Sequence, residues 1–340
     1  MLFEPPADWL CIHTIDAHTA GEPLRVITAG YPELSGKTML EKRQDALVRF
    51  DHLRRTLMWE PRGHADMYGC VLTRPVTPDG DVGVVFMHNE GYSTMCGHGI
   101  IGLVKVAIDT GLIRAKGDKP IIRIDTPAGR VTATAQLRSG RVERVAFTNV
   151  PSFVLEHDLE VALEGFGRVT CDIAFGGAFY AYVDARSLGI EIEPAQLGKI
   201  IDLGRRIKQA VRNACRIIHP EGDEDLNFLY GTIFVQDSSP PVHSRNVCVF
   251  ADGEVDRSPT GTGVSGRAAI LHALGKLALG ETITIESVIG TRFDVRVVAA
   301  SRVGPIAAVI PEVSGTAHIT GRHEFFIDPE DPLREGVLLR

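Results

Sequence analysis

Six cysteines are spread along the chain, and one of them lies in a sequence context that could support chemistry. Cys96 is followed by Gly97, His98 and Gly99, and apolar residues at helical spacing begin at Ile100. The partial positive charge of a helix N-terminus lowers the pKa of a thiol, which favours the reactive thiolate. We therefore predict that Cys96 is a reactive thiol, although a buried cysteine that acts as a small hydrophobic side chain is the commoner case. Apolar or strand-like surroundings predict that the other five cysteines act as small buried hydrophobic side chains: Cys11, Cys70, Cys171, Cys215 and Cys248.

A second stretch, in the later half of the chain, repeats this arrangement. Thr260 aligns with Cys96, and Gly261 and Gly263 follow in the same Gly-x-Gly pattern before another helical stretch. The two positions are about half a chain length apart, which predicts two related halves whose equivalent loops meet at one site. Two facing helix N-termini would bind a carboxylate through their N–H groups. The same donors would stabilise charge that develops when a proton is lost beside that carboxylate.

Polar residues near these loops are further candidates. Asp256 precedes Thr260 in a polar loop, where an acid could bind the ammonium or imino nitrogen of an amino acid. An Asx turn or a helix cap explains Asp256 equally well. His98 could favour the thiolate or orient a substrate. The sequence does not rank the polar residues of two earlier segments: His18, Glu22, Arg25, Arg62, His64 and Asp66.

The motifs fit a metal site or a dinucleotide-binding site less well than they fit a carboxylate-binding site. Cys96 and His98 lack a second ligand pair at zinc spacing. Residues 261–266 match the Gly-x-Gly-x-x-Gly pattern of dinucleotide-binding folds, but the predicted strand before them ends near Phe250 instead of running into the glycines. We predict neither a metal nor a cofactor.

The bulk properties limit the class of protein. A chain of 340 residues exceeds the ~250 to 300 at which single cores usually split, so two lobes are expected. A formal net charge of −7 argues against nucleic acid or an anionic membrane as the main partner. Unpaired cysteine spacing predicts reduced thiols, and no apolar run approaches the ~20 residues of a membrane span. We predict a soluble, cytoplasmic protein that binds a small molecule.

The two halves predict the same order of elements. Each reads as strands, a long helix, further strands, the glycine loop and a second helix, with helices over 40–58, 100–112, 200–213 and 264–277. The polar residues 16–23 predict a loop between two strands. Residues 172–183 predict one strand, in which Gly176-Gly177 indicates a bulge or a close backbone approach.

Taken together, these motifs resemble the proline racemase family. The resemblance covers nearly the whole chain, and it rests on several motifs that occur in the family's order: Asp16-x-His18-Thr19-x-Gly21-Glu22-Pro23, Glu60-Pro61-Arg62-Gly63-His64-x-Asp66-Met67-Tyr68-Gly69, Met95-Cys96-Gly97-His98-Gly99, Asp256-Arg257-Ser258-Pro259-Thr260-Gly261-Thr262-Gly263 and Gly315-Thr316-Ala317-His318-Ile319-Thr320-Gly321.

The resemblance implies an α/β (α+β) fold shared with diaminopimelate epimerase. Two pseudo-symmetric lobes, each a β-rich half-barrel around a central helix, would enclose the active site between them. We expect residues 1–150 to form the N-terminal lobe, residues 151–315 to form the C-terminal lobe, and residues 316–340 to return to the first. The resemblance also assigns the catalytic pair and the substrate-binding residues: Cys96 and Thr260, with Gly97, His98, Asp256, Gly261 and Thr262.

Thr260 stands where the family's racemases have a second cysteine. An alcohol is far too weak an acid to exchange protons as a thiol does, although it still forms hydrogen bonds. The Cys/Thr pair resembles the trans-3-hydroxy-L-proline dehydratase branch, which implies loss of water with Cys96 as the base. Thr260, His98 and protonated Cys96 remain open as the acid. Three alternatives remain: a 4-hydroxyproline epimerase, a proline racemase and a non-catalytic amino-acid-binding protein. A homodimer is a further expectation.

Overall fold

The computed structural model describes residues 3–221 and 224–339. The described chain contains four α-helices: α1 Met39–Met58, α2 Gly97–Asp109, α3 Leu197–Ala214 and α4 Gly261–Ala273. It also contains eighteen strands: β1 Leu10–Thr19, β2 Glu22–Ala29, β3 Tyr68–Thr73, β4 Val82–His88, β5 Tyr92–Ser93, β6 Ile121–Thr126, β7 Gly129–Arg138, β8 Arg141–Thr148, β9 Ser152–Leu163, β10 Gly167–Phe175, β11 Phe179–Asp184, β12 Leu229–Asp237, β13 Ser244–Phe250, β14 Glu254–Asp256, β15 Thr282–Ser287, β16 Arg292–Val303, β17 Ile306–Gly315 and β18 Ala317–Ile327.

The strands pair in two groups with the same internal order. In the first lobe the order is β18-β1-β2-β3-β4-β6-β7-β8, with parallel pairs β2–β3 and β4–β6. In the second it is β9-β10-β11-β12-β13-β15-β16-β17, with parallel pairs β11–β12 and β13–β15. Strand β17 also pairs with β9, which closes the second group, and with β8, which joins the lobes. This repetition produces the two pseudo-symmetric lobes that we predicted.

One helix is central to each lobe. Helix α2 packs against β1, β2, β7, β8 and β18, and α4 packs against β9, β10, β11, β16 and β17. Almost every residue of both helices is buried, as expected for helices that are apolar on all sides. The other two helices, α1 and α3, each bury one side. Both central helices begin three residues before the predicted position, which places the glycine loops directly at their N-termini.

The lobe boundaries remain a proposal. We propose residues 1–150 with 316–340 as one lobe and 151–315 as the other. Support comes from β18, which follows residue 315 and pairs along the length of β1, from Leu10↔Ile327 to Thr19↔Ala317. No helix in residues 3–221 and 224–339 is long and apolar enough to cross a membrane.

Two local predictions were wrong. Residues 16–23 do not form a loop. They form the end of β1, a turn at Ala20 and Gly21, and the start of β2, because β2 and β18 both pair with β1 as far as Thr19. Residues 172–183 form a hairpin of β10 and β11 and not one bulged strand. The predicted close approach is confirmed, since a Cβ on Gly176 would lie 2.2 Å from the carbonyl oxygen of Thr262.

Candidate active site

The N-termini of α2 and α4 pack directly against each other. An added Cβ on Gly97 would lie 2.4 Å from the Cα of Gly261, and one on Gly261 would lie 2.5 Å from the Cα of Gly97. Any side chain at either position would therefore force the two backbones apart. The first N–H groups of a helix have no partner within the helix, so this contact directs two sets of donors to one place. The predicted meeting of the two loops is present in the structure.

Cys96 is the N-cap residue of α2. Its Sγ accepts a hydrogen bond from the N–H of Gly99 at 3.2 Å and lies 3.2 Å from Nδ1 of His98. Burial raises the pKa of the Cys96 thiol well above its ordinary value, although the Gly99 N–H and the Tyr68 hydroxyl act in the opposite direction. We expected the helix N-terminus to lower this pKa. In the enclosed site the loss of hydration outweighs it, so the resting form is the thiol.

His98 is the basic group nearest to this thiol. Burial lowers the pKa of its imidazole, while the Asp256 carboxylate and the Pro23 carbonyl raise it. Its Nδ1 lies 3.9 Å from Oδ2 of Asp256, and its ring meets the edge of the Tyr68 ring with centroids 4.7 Å apart. A neutral imidazole beside a neutral thiol can take the thiol proton when a bound ligand stabilises the resulting charges.

Thr260 lies on the second loop, at the N-terminus of α4. Its backbone has φ 68° and ψ 97°, an unusual conformation for a β-branched residue, and its side chain does not cap the helix. Its buried Oγ1 has no hydrogen-bond partner among the described residues. Strained backbone and unpaired buried polar atoms are common where a protein binds a ligand.

Asp256 supports this loop and also faces the site. Its Oδ1 accepts the N–H of Ser258 at 2.8 Å, and Oγ of Ser258 in turn accepts the N–H of Thr260 at 3.1 Å. The Asx-turn interpretation therefore holds for one carboxylate oxygen. The other oxygen, Oδ2, is the one nearer His98. The two interpretations of Asp256 are compatible.

All seven predicted site residues line one cavity: Cys96, Gly97, His98, Asp256, Thr260, Gly261 and Thr262. Their roles remain proposals. Six further residues of the wall were not predicted. Met95 lies beside Cys96, and the other five come from four strands: Tyr68, Tyr180, Tyr230, Cys248 and Phe250.

Aromatic hydroxyl groups hold this wall in place. The Tyr230 hydroxyl pairs with Oγ of Ser93 at 2.8 Å, and the Tyr180 hydroxyl pairs with Oγ1 of Thr262 at 2.7 Å. Alternation along β13 was an available signal for two of the missed residues. Cys248 and Phe250 are two residues apart, so their side chains lie on the same side of the strand. Cys248 also lies opposite Asp256 in the β13–β14 pairing.

The sequence predictions for the other cysteines need two corrections. Cys70, Cys171 and Cys248 are buried as predicted, but Cys248 faces the cavity. Cys11 and Cys215 are only partly buried, because each lies near the protein surface, on β1 and at the end of α3 respectively.

Among the polar residues that the sequence could not rank, Glu22 is connected to the Asp256 loop of the site. It is fully buried, and burial together with Asp256 raises the pKa of its carboxyl group, while Arg257 lowers it. Its Oε2 accepts the Arg257 N–H at 2.8 Å, which connects β2 to the Asp256 loop. Arg25 and Asp16 instead form a partly buried ion pair at 2.8 Å.

The family model described as proline racemase matches residues 14–338. This chain belongs to the proline racemase family. The match confirms the prediction that the sequence motifs supported.

Three known proteins are similar to this chain over nearly their whole length. A protein named trans-3-hydroxy-L-proline dehydratase from Colwellia psychrerythraea is 51% identical over 98% of this chain and 94% of its own. One of the same name from Bacillus cereus is 46% identical over 96% and 97%. The structure of a hydroxyproline epimerase from Agrobacterium vitis, with bound trans-4-OH-L-proline, has a TM-score of 0.91 at 30% identity, covering 97% of this chain and 96% of that one. The predicted fold is confirmed.

Proposed function

We propose that this protein is a cofactor-independent carbon–oxygen lyase that converts trans-3-hydroxy-L-proline to Δ1-pyrroline-2-carboxylate and water. The observation that carries the proposal is the pairing of a thiol, Cys96, with an alcohol, Thr260, in the two equivalent loops of one cavity. Elimination needs one base at Cα, whereas two-base racemisation needs a proton-exchanging group on each face. The names of the relatives at 51% and 46% identity support the same reaction.

Substrate binding is proposed to use the two helix N-termini and Asp256. The carboxylate of the imino acid would accept N–H groups from the loops at Gly97 and Gly261, whose contact directs both helix dipoles to one point. The ring ammonium would pair with Asp256, which lies in the same cavity wall. These contacts would fix the Cα between Cys96 and Thr260.

Proton removal is assigned to Cys96. Its resting thiol would pass a proton to His98, whose Nδ1 is 3.2 Å from Sγ. The Gly99 N–H, already directed at Sγ, would stabilise the thiolate. The bound ammonium adds positive charge near Asp256, one of the groups that raise the pKa of the Cys96 thiol. Substrate binding would thus lower the pKa of the Cys96 thiol relative to the ligand-free site, so that the thiolate forms more readily.

The stereochemistry of the substrate favours Cys96 also as the acid. In the trans-3-hydroxy isomer, the hydroxyl and the carboxylate lie on opposite ring faces, so the Cα hydrogen and the hydroxyl lie on the same face. A thiol that has just taken the Cα proton is therefore next to the leaving oxygen. It can return that proton as the C–O bond breaks, and water leaves. The enamine product then becomes the imine when C3 gains a proton and the nitrogen loses one.

Thr260 is proposed to bind and not to ionise. Its unpaired Oγ1 can donate to or accept from the substrate on the face opposite Cys96. Because an alcohol does not release a proton at neutral pH, no proton is returned to that face of Cα. The intermediate would therefore lose water, with the proton returned by Cys96, instead of being inverted.

A substrate comparison tests the proposal. Purified protein is incubated with trans-3-hydroxy-L-proline, its cis-3 isomer, trans-4-hydroxy-L-proline and L-proline, and the ketimine is followed with o-aminobenzaldehyde while chiral chromatography follows inversion. We expect ketimine from the trans-3 isomer, and far less from the cis-3 isomer, whose hydroxyl faces away from the Cα hydrogen. Inversion of 4-hydroxyproline without ketimine would refute the dehydratase. Equal turnover of both 3-hydroxy isomers would refute Cys96 as the acid.

The same experiment tests the alternatives. Epimerase or racemase activity has one observation in its favour, since the Cys248 thiol lines the cavity as well. It would appear as α-inversion that disappears in Cys248→Ala. Binding without turnover of any of the four compounds would identify a binding protein. The cytoplasmic location and a homodimer stay predictions.

A further inference from the structure

Three side chains with metal-binding atoms converge on the outer surface of the first lobe, away from the active-site cavity. Cys11 and His13 lie on β1, and Glu324 lies on β18. His13 is directly opposite Glu324 in the β1–β18 pairing. Cys11 is two residues from His13, so both side chains point to the same side of the strand. Ile12, between them, is fully buried in the core on the other side.

The three donor atoms form a compact triangle. Sγ of Cys11 lies 3.6 Å from Nε2 of His13 and 3.4 Å from Oε1 of Glu324, and the last two atoms are 3.8 Å apart. Zinc bonds of about 2.3 Å to sulfur and about 2.0 to 2.2 Å to nitrogen or oxygen, at tetrahedral angles, give ligand separations of about 3.4 to 3.6 Å. The observed triangle therefore needs shifts of only a few tenths of an ångström.

We propose that Cys11, His13 and Glu324 form a zinc-binding site on the outer surface of the β1–β18 pair. The three protein ligands occupy three tetrahedral positions, and water occupies the fourth. Zinc suits this set because it accepts thiolate, imidazole and carboxylate together, whereas calcium and magnesium prefer oxygen alone. Binding releases the thiol proton of Cys11, which otherwise donates to Glu324.

The position of the site gives it a structural consequence. Strand β1 is the first strand of the described chain and β18 is the last, and their pairing joins the two ends of the fold. A metal bound by both strands stabilises the folded state and leaves the cavity chemistry unchanged. The side chains of His13 and Glu324 are 49% and 51% exposed, so solvent zinc reaches them without opening the lobe.

The test is a titration of metal-stripped protein with Zn²⁺ in competition with a chromophoric chelator. We expect one zinc per chain and a higher unfolding temperature with zinc. Cys11→Ser and His13→Ala should each weaken binding at least about tenfold, because each removes one of three protein ligands. Titration with Co²⁺ adds a spectroscopic check, since a thiolate ligand produces a charge-transfer absorption that Cys11→Ser abolishes.

Two control variants separate this site from other thiols. Cys215→Ser removes the other partly buried thiol, and Cys96→Ser removes the thiol beside His98 in the cavity; both should bind zinc like the parent protein. Unchanged unfolding temperatures without zinc establish that the ligand variants are folded. The proposal is overturned if no zinc binds, if Cys11→Ser and His13→Ala bind it normally, or if Cys96→Ser abolishes binding. None of these readouts depends on the proposed enzymatic activity.

Discussion

Replacing Gly97 with alanine should separate the two helix N-termini that meet at the proposed active site. The added Cβ would lie 2.4 Å from Cα of Gly261 and 3.0 Å from a ring carbon of Phe147. Carbon atoms in contact normally lie ~3.5 to 4.0 Å apart. The obstacle is largely backbone, which cannot rotate away as a side chain can. The α2 and α4 N-termini must therefore separate by about 1 Å.

That displacement predicts both a stability loss and a larger loss of activity. Forcing extra volume into a packed interior typically costs about 1 to 3 kcal/mol. A misplacement of about 1 Å between catalytic groups can reduce activity about 100-fold, equivalent to about 2.7 kcal/mol in transition-state free energy. Turnover of trans-3-hydroxy-L-proline should fall more than the fraction of folded protein does, because Cys96 and Thr260 are carried on the displaced loops.

The assay is ketimine formation together with thermal unfolding, and Gly198→Ala is the matched control. Gly198 lies in the first turn of α3, and an added Cβ there meets nothing within 4 Å. This control should be as stable as the parent or up to about 1 kcal/mol more stable, because alanine favours helix. The close packing of the two loops would be refuted if Gly97→Ala kept its activity within about threefold of the parent and unfolded at the same temperature as Gly198→Ala.

Three further predictions concern single groups. Cys96→Ser should lower α-proton removal, measured as deuterium exchange at Cα, by about 10²- to 10⁴-fold; near-normal exchange would exclude it as the base. Thr260→Cys should produce some α-epimer from 4-hydroxyproline, and its absence would argue against the facing geometry. Burial raises the pKa of Glu22, so the folded state keeps a proton that the unfolded state loses above pH ~4.3. Between that pH and the raised pKa, the parent should lose stability relative to Glu22→Gln as pH rises, measured by urea unfolding; parallel pH profiles would contradict this.

The repeated loop was predictable because it depends on local chemistry. A residue followed by Gly-x-Gly before an apolar helix identifies a helix N-terminus from a few residues. The structure places such a terminus at Cys96 and another at Thr260. Strand ends were less predictable, because pairing with distant strands fixes them. Strand β1 runs three residues beyond Asp16 since both β2 and β18 continue beside it.

The cavity wall and its electrostatics could not be predicted in the same way. Tyr68, Tyr180 and Tyr230 come from three separate strands, and only the folded arrangement brings them to Cys96. The pKa of Cys96 shows why a local rule fails there. A helix N-terminus lowers a thiol pKa in water-exposed settings, but full burial in an unliganded site acts in the opposite direction and prevails.

The two loops are equivalent in position but differ in backbone as well as in side chain. Cys96 has an extended backbone at φ −145°, and its Sγ caps α2 through Gly99. Thr260 has φ 68°, and its side chain caps nothing. The first loop therefore aligns its sulfur with a helix dipole that stabilises negative charge, whereas the second leaves its buried hydroxyl unpaired and available to a ligand. Under the proposed mechanism, the two lobes share substrate binding, and proton removal is assigned to Cys96 alone. Such an asymmetry favours elimination over inversion, because the proposed intermediate has a thiol, Cys96, beside its leaving group, whereas the equivalent position of the second loop is an alcohol.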